Sequence, residues 1–261
     1  RKKYLIMKKM MKYQLKDLLL GYFVYALIMI LLTAVVSVIS INYNNVNVSV
    51  NGNGFSSVIF CFVVTISIYK EHCQLALQNS ISRKDFFRST ICVITIISFM
   101  CALLDVLLRV ISQVSLFSAG TNNFSLSSFV FLFYPKFLER SNEAFVIAVG
   151  FFMSFFICLM FAVLGLLIAG IYLRLPKKFR TVYCVALPIA FCGLLPGISA
   201  IAFFSPGPVR RFAEFLLKIM NTLDIMGTAS GSPFRGMLTF TVVSVIMTGI
   251  CYRILRKTDM V

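Results

Sequence analysis

The chain has 261 residues, 59% of them hydrophobic, with a formal net charge of +16 and a mean hydropathy of +0.92. Soluble domains run at about 45–50% apolar, so a soluble-enzyme reading is excluded at the outset, and long continuous apolar runs point to membrane-spanning helices rather than to the alternating ten-residue segments of a β-barrel. On a soluble protein such a charge would suggest nucleic acid, but here the cations sit at the ends of apolar runs, the pattern of membrane topology, so no nucleic-acid partner is expected.

Residues 1–17 (RKKYLIMKKMMKYQLKD) carry seven Lys/Arg, interleaved with Tyr4, Leu5, Met7, Met10, Met11 and Leu15. This predicts an amphipathic N-terminal helix lying in the interface, cations toward anionic headgroups. The apolar stretch that follows exceeds a signal-peptide core and has no small-residue cleavage site, so it reads as a retained first span at about 18–40. A charge-free Asn/Gly-rich loop (41–54) leads to a second span at about 55–69. A charged connection (70–89) follows, then a third span at about 90–117. Residues 118–143 form a loop with a semi-apolar piece, SFVFLFYPKFLER. A fourth span at about 144–173 ends in the basic turn LRLPKKFR. The fifth, at about 182–204, is interrupted by Pro188 and Pro196, each of which removes a helix hydrogen bond and kinks the axis. The segment 209–226 is amphipathic and too short to span, which predicts an outer interfacial helix. A sixth span at about 236–252 closes the chain.

The expectation is therefore an all-α polytopic membrane protein, one transmembrane domain over residues 1–261 with six spans. Orientation follows from the basic residues. Eighteen of the 25 Lys/Arg fall in the N-terminal segment, the 70–89 connection, the 173–180 turn and the C-terminal tail, and five in the three opposite loops. The positive-inside rule then places both termini in the cytoplasm of a multi-pass cell-membrane protein, bacterial in style.

Several chemistries are missing. No Gly is followed by Lys, so there is no phosphate-binding P-loop, and neither GxGxxG nor HExxH occurs. His72 is the single histidine, and the eight cysteines form no CxxC, which argues against a metal site and reads the thiols as small buried hydrophobes. The chain itself is expected to bind no cofactor and to catalyse nothing. If it moves a solute uphill, a separate subunit supplies the energy.

Two constellations remain. Asp105 and Arg109 lie four apart in span three, on one helix face. They are either a self-neutralising structural pair or a gating or substrate-contact pair, since intramembrane charges are functional by default. The second is QNSISRKDFFR (78–88). Gln78, Asn79 and Ser80 supply turn and cap chemistry. Ser82 with Asp85 three residues on predicts a capping arrangement at the start of a helix. Arg83 and Lys84 beside Phe86 and Phe87 make a compact knob of cations and aromatics, the composition of a protein-contact anchor, or merely a topology-anchoring loop.

At Asn79-Ser80-Ile81-Ser82-Arg83-Lys84-Asp85-Phe86-Phe87 the chain resembles the permease subunits of ATP-binding-cassette transporters, type-2 exporter class, which carry N-[GS]-[IV]-S-R-K-x-F-F between spans two and three. Ser80 stands where many members have Gly. The basic N-terminal helix, the six spans and the amphipathic outer segment are similar too, so the resemblance covers the whole chain. It implies a coupling helix at about 74–87 docking into a separate ATPase subunit through Asn79, Ser82, Arg83, Lys84, Asp85, Phe86 and Phe87. It further implies a second permease copy or paralogue, and ATP with Mg2+ held by the partner subunit. The exported substrate expected from the few charges in the spans is hydrophobic or amphipathic, a peptide among the candidates. The alternative is a non-transport membrane scaffold or immunity protein that binds peptide or lipid without translocating it.

Overall fold

A computed structural model describes residues 2–42, 48–50, 53–79, 81–119, 124–126, 129–134, 137, 142–176, 179, 211 and 231–256. In chain order the elements are α1 (Lys2–Asn42), β1 (Val48–Val50), α2 (Asn53–Gln78), α3 (Arg83–Ala119), β2 (Phe124–Leu126), α4 (Phe129–Phe133), α5 (Glu143–Arg174) and α6 (Pro233–Arg256). Five helices among the described residues are long and apolar enough to cross a membrane: α1, α2, α3, α5 and α6. This is the architecture of a helical bundle compatible with a multi-pass membrane protein. The expected fifth span, with Pro188 and Pro196, and the expected outer helix at 209–226 lie outside the described residues apart from Arg211.

The helix α5 is the hub, packing against α2, α3 and α6, while α1 lies mainly along α3. Lipid offers no hydrophobic driving force between helices, so close backbone approach has to hold them. The inner face of α5 sets small residues, Cys158, Ala162 and Ala169, among larger buried ones, Met153, Ile157 and Leu166. At Gly165 an added Cβ would lie 2.7 Å from the backbone oxygen of Phe62 on α2, so this crossing admits only glycine without movement. Hydroxyl groups within the helices are absorbed locally: Thr33, Ser37, Thr65, Thr95, Thr241, Ser244 and Thr248 each donate to the carbonyl four residues back. That satisfies them where no water is at hand.

The bounds follow local chemistry. The fourth expected span, 144–173, is α5 to within a residue at each end. Asn142 stands extended before it, and Leu175 closes it, its N–H donating to the carbonyls of Ile171 and Tyr172. Pro176 then disfavours helical backbone at the residue before it. Pro233 occupies the first position of α6, where its missing N–H costs nothing, preceded by Gly231 at φ 68°.

Three expectations need correction. First, the N-terminal segment 1–17 is not a separate interfacial helix, because α1 runs unbroken from Lys2 to Asn42. The switch from cation-rich to apolar at residue 17 changes composition, not helix propensity, and no Pro or Gly breaks the chain there. Met10, Gln14, Leu18 and Tyr22 form one buried stripe along it while Lys8, Lys9, Lys12 and Lys16 face outward. Second, the polar loop 41–54 and the 118–143 loop meet: Val48, Ser49 and Val50 pair in parallel with Phe124, Ser125 and Leu126. Third, α2 runs on past the expected membrane edge at Tyr69 and Lys70 and ends only at Gln78, and α3 starts at Arg83, so the described residues of 74–87 belong to α2, the connection and α3 and not to a helix of their own.

Candidate functional site

One end of the bundle gathers the start of α1, the α2–α3 connection and the ends of α5 and α6. Lys8, Lys9, Lys12, Lys16, Lys84, Arg88, Arg174 and Arg253 are exposed there. The α2–α3 connection is a tight helical hairpin. Asn79 finishes α2: its backbone N–H and its Nδ2 both donate to the Leu75 carbonyl, at 3.1 and 2.9 Å, and the Ile81 N–H reaches the Ala76 carbonyl at 2.9 Å. Ser82 then starts α3. Its Oγ accepts from the Asp85 N–H at 3.3 Å and donates to Asp85 Oδ2 at 2.6 Å. The capping arrangement expected of Ser82 and Asp85 is therefore present, with an acid in the first turn where the helix dipole favours it.

The docking set expected at 74–87 is divided by this geometry. Asn79, Ser82 and Lys84 are exposed and Arg83 is half-buried, whereas Asp85, Phe86 and Phe87 are buried. In place of the expected coupling helix stand the end of α2, a turn and the first turn of α3. Phe86 and Phe87 are not a surface knob. Adjacent residues on a helix point about 100° apart, and each ring has found a cover distant in sequence: Phe86 lies 5.8 Å from the Tyr69 ring on α2, and Phe87 5.5 Å from Tyr252 on α6. Ser80 lies outside the described residues.

Contacts that the sequence pattern does not nominate tie α1 to this hairpin. Gln14, fully buried, donates through Nε2 to Thr90 Oγ1 at 3.2 Å, and Thr90 in turn donates to the Phe86 carbonyl at 3.0 Å. His72 is buried on α2 with Nε2 3.2 Å from Asp17 Oδ2, and the Tyr13 ring meets the imidazole edge-on at 5.3 Å. The available signal is that the polar residues of α1 at 13, 14 and 17 share one face.

Within the bundle, the described partner of Asp105 is not Arg109. Asp105 Oδ1 accepts from Ser57 Oγ at 2.6 Å, and Ser57 Oγ lies 3.0 Å from the Tyr25 hydroxyl, itself 3.0 Å from Ser56 Oγ. Helical spacing permits an Asp105–Arg109 pair, but the short aspartate side chain reaches across to α2 instead. Arg109 is buried and has contacts of its own. Among the described residues no group of His, Cys, Asp or Glu could hold a metal ion.

No family model matches the chain, and no curated protein or solved structure does so either.

Proposed function

We propose that the chain is the transmembrane permease subunit of an ATP-driven ATP-binding-cassette exporter, and that the α2–α3 hairpin is where a separate ATPase subunit docks. The observation that carries this reading is the doubly capped turn at 79–85, held at the most basic end of the bundle with Asn79, Ser82 and Lys84 outward. On this reading both termini are cytoplasmic, the expected span at 182–204 completes six, and a second copy or paralogue completes the pathway. ATP and Mg2+ belong to the partner.

A push on the hairpin has ready-made routes. Phe87 bears on Tyr252, linking α3 to α6, and Phe86 on Tyr69, linking it to α2. The Gln14–Thr90 and Asp17–His72 contacts carry the same displacement to α1. Rigid elements joined this way move as a body, which is how small displacements become changes of access. The substrate is a hydrophobic or amphipathic molecule, a peptide among the candidates.

The test is purification of the tagged chain from its native membrane with assay of bound ATPase. A co-purifying ATPase that is lost from Lys84→Glu/Arg88→Glu supports the reading. A stable, correctly inserted chain that brings down no ATPase sinks it and leaves the non-transport scaffold as the better account.

A further inference from the structure

We propose that Asp105 is a proton-binding carboxyl, a half-buried site between α1, α2 and α3 with α5 beside it, whose ligand is H+. The inference goes beyond the transport reading and holds whether or not the chain pairs with an ATPase.

The hydroxyl network has a direction. A hydroxyl carries one proton to donate. Ser57 gives its proton to Asp105 Oδ1, so the Tyr25–Ser57 contact must have Tyr25 as donor. Tyr25 then has none left for Ser56, whose own proton is shared between Tyr25 at 3.0 Å and Met29 Sδ at 3.5 Å. From Tyr25 through Ser57, the donated protons run toward Oδ1.

The other carboxyl oxygen is different. Asp105 Oδ2 is sealed from solvent and has no hydrogen-bond partner among the described residues. Facing the carboxyl are Tyr22 and Tyr25 from α1, Cys61 from α2, Cys158 from α5 and Cys101 from its own helix, with Arg109 one turn further along α3. Burying an ionised carboxylate without donors on both oxygens is costly. A proton at Oδ2 removes that charge without requiring a donor from the protein. On loading, hydronium gives up a proton and leaves as water, an O–H bond forms at Oδ2, Oδ1 keeps its Ser57 bond, and the carboxyl goes from one negative charge to none. On unloading, bare charge between three helices favours their parting and the entry of water, so opening here is linked to proton release.

The test is labelling of the wild-type protein in lipid with dicyclohexylcarbodiimide, which attacks protonated carboxyls in apolar surroundings, followed by peptide mapping. The companion measurement is the infrared difference between wild type and Asp105→Asn. The expected results are an adduct at Asp105 that is lost as the pH is raised and untouched by sodium, and a protonated-carboxyl C=O stretch missing from the variant. Any one of three results overturns the proposal: no adduct from mild acid to neutral pH, protection by sodium, or carboxylate bands in place of the C=O stretch. Labelling needs no variant, so poor folding of Asp105→Asn does not blunt it.

Discussion

Ser82→Ala is the sharpest perturbation of the hairpin. It removes one of the two acceptors of the Asp85 N–H, the hydroxyl at 3.3 Å beside the Ser82 carbonyl at 3.0 Å, and the donor to Asp85 Oδ2 at 2.6 Å. Loss of an N-cap hydroxyl costs about 1 kcal/mol. Depriving the buried Asp85 carboxylate of a donor adds about 1 kcal/mol more, the lower end of the range because Ser82 itself is exposed. A total of about 2 kcal/mol opens the first turn of α3 roughly thirtyfold more often, at tenfold per 1.4 kcal/mol. Hydrogen exchange of the amides at 83–88 in detergent reads this directly. Ser82→Thr, which keeps the hydroxyl, should exchange within a few-fold of wild type. Equal exchange for wild type and Ser82→Ala would refute the capping account, and so would equal acceleration by Ala and Thr.

Other outcomes follow from the packing. Gly165→Ala drives a methyl to 2.7 Å from the Phe62 carbonyl oxygen and should cost about 1–3 kcal/mol, read as a lower melting temperature. Gly249→Ala meets nothing within 4 Å and should be neutral or slightly stabilising, so the pair separates crowding from helix propensity. A double-mutant cycle of Gln14→Leu and Thr90→Val should give a coupling of about 0.6 kcal/mol, the average for such cycles between membrane helices, and no more than about 1.7; zero coupling denies the α1–hairpin link. Among the six described cysteines, Cys92 alone is exposed and lies within the membrane-spanning α3, so limited treatment of the detergent-solubilised protein with a membrane-permeant maleimide should modify it first while Cys61, Cys73, Cys101, Cys158 and Cys251 stay free.

Much of the helical layout is legible in the sequence because its signals are local. The α5 bounds follow from an apolar run closed by Arg174 and Pro176, and the Ser82–Asp85 cap from a three-residue spacing. What is illegible depends on partners far along the chain. Polar Lys70, Glu71 and His72 suggest a loop, yet they continue α2, with His72 sheltered by Asp17 and Tyr13. Phe86 and Phe87 look like surface anchors until Tyr69 and Tyr252 cover them. Asp105 looks like the partner of Arg109 because helix periodicity sees only its own helix; Ser57 lies 48 residues away. A lone intramembrane acid does call for donors, and Ser56-Ser57 is one of several hydroxyl pairs in the sequence, with Ser89-Thr90 and Ser127-Ser128 among the others. The β1–β2 pairing of two loops has no signature in three-residue strands.

The central claim is that the hairpin meets an ATPase. A photo-crosslinking amino acid at position 84, compared with one at exposed Phe234 at the opposite end of the bundle, tests it in native membranes. The account predicts a crosslink to an ATP-binding protein from position 84 and none from position 234. Crosslinks to lipid alone from position 84, with the protein correctly inserted, would contradict it.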